Sequence, residues 1–257
     1  MTKTALVTGS TSGIGKALAE KLASECYDLV LVSRDEGKLA NQSLALSDTY
    51  GIKTYSLPLD LSTPGAAQKV FDGVESLGVS VQILVNNAGF NEAGSFLKTN
   101  ATKELAMINL HVTFVTEMLK LFIPEMVEAG YGRILNLGST GSFLPCPNDA
   151  VYAATKAYVL SLSNALNAEL KGTGVTITTL CPGSTKTELA RKAGIENTLL
   201  FRYFVMEPSF VADVGYKSLM KGKAATIVGL YNKATILFSK IMPAGFVNRL
   251  TARMLRA

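Results

Sequence analysis

The sequence predicts a single α/β domain in which a doubly wound parallel sheet carries helices on both faces. Short β-branched runs alternate with amphipathic stretches from the first residues onward, which is the order that βαβ units follow. The strand candidates are continuous apolar runs, such as Leu29–Val32, as expected of strands buried on both faces. The chain has 257 residues, of which 48% are hydrophobic and 18% charged, so one domain spanning residues 1–257 can bury a sizeable core.

Six strands and five helices can be placed along the chain. The strands are predicted at Thr4–Thr8, Asp28–Ser33, Lys53–Leu57, Gln82–Val85, Arg133–Gly138 and Val175–Leu180. The helices are predicted at Ile14–Ala23, Glu36–Ser47, Ala66–Ser76, Glu104–Ala129 and Asp149–Lys171. The alternation weakens after residue 184, and we expect the remainder to be appended to the sheet rather than to form a second domain.

The composition excludes several classes of protein. Three cysteines, Cys26, Cys146 and Cys181, lie far apart without a paired motif, so we expect neither a disulfide framework nor a metal site, and a cytoplasmic location. The single histidine, His111, cannot form a metal cluster or a Ser-His-Asp triad, and we expect it to pack inside a helix. No window holds 18 consecutive apolar residues, so we expect no membrane-spanning segment.

The positive charge is concentrated in the last third of the chain. Residues 1–183 carry 13 basic and 16 acidic side chains, residues 184–257 carry 12 basic and 4 acidic ones, and no acidic residue follows Asp213. Apolar residues alternate with the basic ones, so this segment either packs as a tail with solvated charges or contacts an anionic membrane or an acidic acyl carrier. No nucleic-acid recognition motif accompanies the charge, so we expect no nucleic-acid partner.

A glycine-rich turn with the sequence TGSTSGIG follows the first predicted strand, at residues 8–15. Glycines at such a turn let the backbone approach a pyrophosphate, whose charge is stabilised by the N-terminus of the next helix. The turn is not a P-loop, because Ser10 and Ala17 occupy positions that a P-loop requires to be Gly and Ser or Thr. It is not G-x-G-x-x-G either, because Leu18 replaces the last glycine. The remaining G-x-x-x-G-x-G pattern indicates a nucleotide site.

This spacing resembles the cofactor motif of the short-chain dehydrogenase/reductase family, and further segments match that family between residue 4 and about residue 190. Asn86–Gly89 resembles the NNAG segment, which stabilises the sheet and lines the cofactor cleft. Asp60–Leu61 matches the adenine end, and Pro182–Gly183 with Thr185 and Thr187 matches the nicotinamide end. The resemblance implies a Rossmann-type fold with a set of cofactor contacts. They are Gly9, Ser10, Ser12, Gly13, Ile14, Gly15, Arg34, Asp60, Leu61, Asn87, Ala88, Gly89, Tyr152, Lys156, Pro182, Gly183, Thr185 and Thr187.

The end of the second predicted strand indicates which dinucleotide binds. The acidic residue that excludes a 2′-phosphate in the family matches Ser33, which has no carboxylate, and Arg34 matches the basic residue of NADPH-preferring members. Asp35 points to the opposite side of an extended chain, and the family's second basic position is Ser12 here. The resemblance therefore predicts NADPH/NADP+ as cofactor.

Four residues match the family's catalytic set: Asn109, Ser139, Tyr152 and Lys156. Tyr152 and Lys156 are four residues apart on one helix, and Ser139 ends the preceding strand. By resemblance, Tyr152 exchanges a proton with the substrate, Ser139 polarises the carbonyl, Lys156 holds the nicotinamide ribose, and Asn109 positions a water. A lysine charge roughly 4 Å from the phenol is worth about 4 kcal/mol, which predicts a Tyr152 pKa lowered by about three units.

These residues predict an NADPH-dependent carbonyl reductase in which Tyr152 is the proton donor. The alternatives are an NADP-dependent alcohol or hydroxysteroid dehydrogenase running oxidatively, or a non-catalytic nucleotide sensor on the same fold. By resemblance, residues 184–222 close over the substrate and residues 223–257 form a C-terminal extension; the bulky side chains of Leu199–Phe210 favour a large apolar carbonyl substrate. The family also implies a homo-oligomer, either a dimer or a tetramer.

Overall fold

The computed structural model describes residues 3–194, 196, 198 and 205–254, and it contains one sheet of seven strands. The strands are β1 (Thr4–Thr8), β2 (Asp28–Ser33), β3 (Thr54–Pro58), β4 (Val81–Asn86), β5 (Gly132–Leu137), β6 (Val175–Cys181) and β7 (Ala225–Ile227). Their order is β3-β2-β1-β4-β5-β6-β7, and every neighbouring pair is parallel. The parallel sheet predicted from the sequence is confirmed.

Helices cover both faces of this sheet. They are α1 (Gly13–Ser24), α2 (Glu36–Tyr50), α3 (Ala66–Ser76), α4 (Ala101–Ile108), α5 (Phe114–Glu128), α6 (Ala150–Glu169), α7 (Glu188–Lys192), α8 (Pro208–Met220), α9 (Leu230–Ile241) and α10 (Ala244–Met254). The cluster on one face contains Leu18 of α1 and Val211 of α8, and the cluster on the other contains Val70 of α3 and Phe122 of α5. The doubly wound arrangement is therefore confirmed as well.

The predicted strand bounds agree with the observed ones within one residue, but the long helix predicted at Glu104–Ala129 is divided. A π-helical turn at Asn109–Thr113 separates α4 from α5. Such a turn shifts the phase of the helix without a glycine or proline to mark it, so the hydrophobic periodicity does not reveal the break. Its consequence is local, because it sets the direction of the side chains at 109–113, including the predicted catalytic Asn109.

Two parts of the region after residue 184 belong to the body of the domain. α8 packs against α1 through buried side chains such as Val211 and Ala212, so this part of the segment assigned to substrate covering is core. β7 pairs with β6 as the seventh strand, although the sequence analysis placed it in a C-terminal extension. It has three residues, fewer than the alternation of apolar and polar residues can reveal.

One run of helix has the length and composition of a membrane-crossing segment. It is Ala101–Glu128, with 28 residues, in which an 18-residue window has a mean hydropathy of 1.4, and it is the single such run among the described residues. A search for 18 consecutive apolar residues does not find this segment, because charged residues such as Glu117 interrupt it. Phe114, Met118 and Phe122 of this run are buried against the sheet, and a helix that packs in a protein core meets the same criterion.

The strand order places a binding edge at the centre of the sheet. The chain winds outward from β1 in one direction to β3 and then returns to add β4 on the other side of β1. Open parallel sheets bind ligands at such a switch point, outside the carboxyl ends of the strands. The glycine turn after β1 and the segment after β4 both lie at this edge, as the register of Ala5 with Ile83 and of Val7 with Val85 requires.

Candidate active site

A cleft of about 360 Å³ lies at this edge of the sheet. It is lined by the glycine turn, the segment after β4, the segment after β5 with the start of α6, and the segment after β6. The cleft brings together most of the predicted site residues. Those that line it are Gly9, Ser12, Gly13, Ile14, Arg34, Asp60, Leu61, Asn87, Ala88, Gly89, Ser139, Tyr152, Pro182, Gly183, Thr185 and Thr187.

The glycine turn is packed so closely that side chains are excluded from it. Gly9 has φ +65° and Gly13 has φ +54°, a left-handed backbone that favours glycine. A Cβ at Gly9 would lie 2.9 Å from the Ala88 Cα, and one at Gly13 would lie 3.0 Å from the Thr187 Cγ2. A Cβ at Gly15 would overlap the Gly9 carbonyl oxygen. The third glycine is thus needed for packing, and it does not itself line the cleft among the described residues.

The first turn of α1 faces this cleft. Gly13 and Ile14 are its first residues and line the cleft, and Ser12 precedes them in an extended conformation with a side chain that makes no capping hydrogen bond to the described chain. The N–H groups at a helix start have no partner within the helix, and together they favour an anion. The position and chemistry of this helix end therefore fit a pyrophosphate.

The segment after β4 holds the ends of β1 and β4 together. The Asn87 side-chain amide donates to the carbonyl oxygens of Thr8, at 2.9 Å, and Gly9, at 3.1 Å. The Thr8 hydroxyl accepts from the backbone N–H groups of Asn87, at 3.0 Å, and Ala88, at 3.1 Å, and donates to the Val85 carbonyl. These bonds fix the floor of the cleft, as the family resemblance implies for this segment.

The edge of the cleft beyond β2 carries two cations, Arg34 and Lys38, beside the carboxylates of Asp35 and Asp60. Arg34 is exposed and lines the cleft next to Asp60, whose pKa is lowered by hydrogen bonds from Ser62 and further by the Arg34 charge. Asp35 caps α2 by accepting from the Lys38 N–H at 3.0 Å, and its carboxylate also lies 3.6 Å from the Lys38 Nζ. Lys38 lines the cleft too. It was not predicted, and it adds a second cation to this edge of the cleft.

Ser139 and Tyr152 meet at the far end of the cleft. A hydrogen bond from Ser139 acts to lower the pKa of Tyr152, so the two hydroxyl groups face the same space. Ser139 is fixed by a capping box: its hydroxyl accepts from the Gly141 N–H at 3.1 Å, and its own N–H donates to the Ser142 hydroxyl at 3.1 Å. The turn after β5, with the sequence GSTGS at residues 138–142, therefore positions one hydroxyl beside the phenol.

Lys156 lies one helical turn beyond Tyr152 and behind it, outside the cleft lining. Its ammonium group donates to the Leu137 carbonyl oxygen at 2.8 Å and lies 5.6 Å from the centre of the Tyr152 ring. Burial lowers the pKa of Lys156 to about 8. The lysine is therefore close to the phenol, but its hydrogen bond is directed at the end of β5.

The predicted lowering of the Tyr152 pKa is not what the structure shows. Burial raises the pKa of Tyr152 well above its ordinary value, and the negative charge of Asp149 raises it further. The hydrogen bond from Ser139 opposes these effects without overcoming them. The estimate from the sequence counted the charge of Lys156 alone and omitted desolvation, which dominates here.

Besides Lys156, three predicted residues do not line the cleft. The Asn109 side chain donates to the Ser62 carbonyl oxygen at 2.8 Å, so it holds a cleft-lining segment from behind. The Ser10 side chain is buried, while its carbonyl oxygen accepts from Gln42 at 2.7 Å. The Ser10 side chain therefore does not line the cleft, and its predicted cofactor contact stays a prediction. Gly15 serves packing, as described above.

Asp149 and Asn91 are two further polar residues of the cleft that were not predicted. Asp149 is 9% exposed and Asn91 is 8% exposed, both line the cleft, and they share a hydrogen bond. Among the described residues, the Oδ1 atoms of both have no hydrogen-bond partner. Burial raises the pKa of Asp149 to about 6. The only sequence signal was the position of Asp149, three residues before Tyr152 at the start of the predicted helix.

The buried histidine lies behind this end of the cleft. His111 is 1% exposed, its Nδ1 lies 3.0 Å from the Thr155 hydroxyl, and its ring centre lies 5.8 Å from that of Tyr152. Burial, aided by the charge of Lys156, lowers its pKa well below the ordinary value. The predicted packing of His111 in the interior is confirmed, and the neutral ring supports Tyr152 from behind.

Comparison with protein families gives one match that spans most of the chain. Residues 3–197 match the family model described as short chain dehydrogenase. The very-long-chain 3-oxoacyl-CoA reductase of Mus musculus is 36% identical over 193 residues, a match that covers 73% of this chain and 61% of the relative. The chain therefore matches less than two thirds of the length of that curated relative.

Two other relatives cover nearly the whole chain. The ketoacyl reductase HetN of Nostoc sp. is 29% identical over 251 residues, which is 94% of this chain and 83% of the relative. A solved structure of a short-chain dehydrogenase from Sphingobium yanoikuyae in complex with NADPH superposes with a TM-score of 0.83 at 32% identity. That superposition covers 94% of this chain and 96% of the other.

Proposed function

The chain belongs to the short-chain dehydrogenase family, and on that premise we propose that it is an NADPH-dependent reductase of long-chain carbonyl compounds. The observation that carries the proposal is the pair of hydroxyl groups at one end of the cleft. Tyr152 and Ser139 are hydrogen-bonded there, and the other end of the same cleft carries a helix N-terminus and the cations Arg34 and Lys38. A proton donor and an anion site within one cleft fit a reductase that uses a phosphorylated cofactor.

The residues of the cleft fit NADPH. The glycine turn and the first turn of α1 would hold the pyrophosphate. Glycine at position 13 keeps the cleft open there, because a Cβ would close the gap to Thr187. Arg34 and Lys38 would pair with the 2′-phosphate, while the Asp35 carboxylate is engaged in capping α2. Lys156 would hold the nicotinamide ribose, as the family resemblance implies. When bound, the cofactor supplies the hydride.

Tyr152 is proposed to protonate the carbonyl oxygen of the substrate. Its raised pKa keeps the phenol protonated at neutral pH, which is the state that a proton donor requires. Ser139 would donate a hydrogen bond to the same oxygen as negative charge develops on it. Asp149 and burial both favour the protonated phenol, which supports reduction rather than the oxidative direction that the sequence left open.

The proposed substrate is a 3-oxoacyl thioester or another bulky apolar ketone. The relatives named as 3-oxoacyl-CoA and ketoacyl reductases support this class. The lining of the cleft also includes the apolar residues Phe90, Leu110 and Leu189. Of the apolar segment at Leu199–Phe210, residues 199–204 lie outside the described part, while Val205 and Phe210 are exposed.

A panel of ketones tests the proposal. We expect NADPH consumption to rise with acyl chain length, because each buried methylene contributes about 0.8 kcal/mol, or about fourfold in kcat/KM. A long-chain 3-oxoacyl thioester, its short-chain counterpart and an oxosteroid should be compared with NADPH and with NADH. Equal rates for long and short chains would contradict the substrate class, and no consumption with any ketone would contradict the reductase itself.

The oligomeric state is proposed from the surface between α4 and α6. Ile108, Val112, Val151 and Tyr158 line a shallow apolar groove there, with Ile108 and Tyr158 exposed. An exposed apolar groove on two adjacent helices supports the homo-oligomer that the family implies. Light scattering of the purified chain and of a Val151→Glu variant tests it, since the variant should reduce the mass of the assembly.

A further inference from the structure

The last two helices expose apolar side chains and bury a few to hold themselves in place. Ile236 of α9 and Val247 of α10 are buried against the domain. On the outside, Leu230 is 83% exposed, Leu237 62% and Ile241 72%. Single exposed apolar residues are common, but a run of them on one helix is not, and it marks an interaction site.

The exposed residues of α9 form one stripe. Leu230, Ala234, Leu237 and Ile241 are spaced by four, three and four residues, so they lie above one another on one side of the helix. The side that faces the domain carries Asn232, Thr235 and Ser239 beside Ile236, and these three are only partly exposed. α9 is therefore amphipathic with its apolar side directed outward, the reverse of an ordinary surface helix.

The stripe continues onto α10. The ring of Phe238 on α9 lies 6.5 Å from the ring of Phe246 on α10, centre to centre, in an edge-to-face arrangement. Phe246 is followed one turn later by Leu250, and both are exposed. We call this continuous area the C-terminal surface. It consists of Leu230, Leu237, Phe238, Ile241, Phe246 and Leu250.

The charged residues of α9 and α10 are all positive. Lys233 and Lys240 flank the stripe on α9, and Arg249 and Arg253 lie on α10, all four exposed. Among the described residues none of these four forms an ion pair. Since no acidic residue follows Asp213, the cations have no nearby counter-charge along the chain either. A partner that matches this area must be apolar and negatively charged at once.

We propose that the C-terminal surface docks on an anionic lipid bilayer. Acyl chains would take up the apolar stripe, and headgroup phosphates would pair with the flanking lysines and arginines. A second copy of the chain fits less well, because a two-fold interface places a patch against itself and would bring the four cations of each copy together. An acidic carrier protein would match the charges but offers no layer of acyl chains for the exposed leucines and phenylalanines.

The C-terminal surface also lies close to the cleft. Asn232, on the inner side of α9, packs on Gly183 so closely that a Cβ at 183 would lie 2.5 Å from the Asn232 Nδ2. Gly183 lines the cleft. One helix therefore separates the cleft from the proposed bilayer, and a membrane-dissolved carbonyl compound, if the proposed function holds, would have a short path to Tyr152.

Vesicle flotation of the full chain tests the docking. Vesicles of phosphatidylcholine with phosphatidylglycerol should retain the protein at 0.1 M salt, and pure phosphatidylcholine should retain less. Retention should fall at 1 M salt, because the Debye length shrinks from about 10 Å to about 3 Å. Equal recovery with both vesicles at both salt concentrations would overturn the proposal.

Matched variants locate the binding on this surface. Leu237→Glu should lower the partition coefficient at least about tenfold, whereas Leu44→Glu on α2, where Leu44 is 63% exposed, should not change it. The double variant Lys233→Glu, Lys240→Glu should lower the partition coefficient about thirtyfold, since each lysine contributes about fivefold. The control double variant Lys69→Glu, Lys171→Glu, which changes two exposed lysines elsewhere, should leave the partition coefficient unchanged.

Two further measurements separate this proposal from its competitors. Light scattering without vesicles should give the same mass for the parent and Leu237→Glu; a mass that falls in the variant would assign the surface to a contact between copies and overturn the proposal. NADPH consumption with a water-soluble ketone should be equal in all of these variants. That assay measures reductase activity alone, so a failure of the proposed function can be distinguished from a failure of vesicle binding.

Discussion

The cleft and the C-terminal surface differ in how their side chains are held. In the cleft, Thr8 and Asn87 are fixed by hydrogen bonds that join the ends of β1 and β4, and Ser139 is fixed by the capping box of its own turn. On α9, Leu237 and Ile241 face outward, and the helix is held by the few side chains on its inner side. The first arrangement suits chemistry, which requires atoms placed to within a fraction of an ångström, and the second suits contact with a deformable partner.

This difference implies that the two regions can be changed independently. A substitution in the cleft should alter turnover or cofactor choice and leave vesicle binding intact, and a substitution on the C-terminal surface should do the reverse. A residue that changed both would show that the regions are coupled, and Asn232, which touches Gly183 from α9, is where such coupling would be found.

The largest expected effect is that of Tyr152→Phe. It removes the proposed proton donor, so turnover should fall by a factor of about 10² to 10⁴. NADPH affinity, measured by quenching or calorimetry, should stay within about twofold, because the phenol acts on the substrate. Retention of more than about a tenth of the parent kcat would mean that another group donates the proton. Ser142→Ala is a useful companion, since it loosens the capping box of Ser139 while leaving the phenol in place.

The next effect in size concerns the basic edge of the cleft. Arg34→Asp should weaken NADPH binding about 10- to 150-fold, because a charge-assisted contact is worth about 1.5–3 kcal/mol, and it should improve binding of NADH. Lys38→Ala should act in the same direction with a smaller effect, since Lys38 is also paired with Asp35. Lys16, which is exposed on α1 and pairs with Glu20, provides the control. An unchanged ratio of NADPH to NADH affinity in Arg34→Asp would exclude this edge from cofactor choice.

The sequence predicted the fold and the order of the site segments well, for a physical reason. Buried parallel strands are apolar runs, and a glycine turn between strand and helix has few substitutes, so both leave a clear pattern. The sequence predicted the pKa of Tyr152 and the polar residues of the cleft less well. The lowered Tyr152 pKa was wrong because desolvation depends on packing, and Asp149 and Asn91 were missed because isolated polar residues have no pattern. The π-helical turn at Asn109–Thr113 and the short strand β7 were not predicted, because neither leaves a pattern in the local sequence.

Asp149 should also influence the stability of the protein. Burial raises its pKa from 3.8 to about 6, so the folded state disfavours the carboxylate. The stability that the protonated group contributes is complete below about pH 4 and is lost as the pH rises through about 6, with an upper limit of about 3 kcal/mol. Asp149→Asn should therefore raise the free energy of unfolding at pH 7 relative to the parent and leave it nearly unchanged at pH 4. Denaturant unfolding at the two pH values measures this, and an equal change at both would point to packing rather than charge.

The smallest expected effect is a shift of a pH profile in the same variant. The Asp149 charge raises the pKa of Tyr152, after burial, so Asp149→Asn should lower that pKa and make the phenolate easier to form. Alcohol oxidation requires the phenolate, and its rate should therefore rise at a lower pH in the variant than in the parent. Reduction near pH 7 should change little, because the phenol stays protonated in both. Rates of NADP+ reduction against pH, measured with the alcohol product, give the midpoints. A midpoint that does not move would show that Asp149 does not act on Tyr152, and the proposed preference for reduction would then rest on burial of the phenol alone.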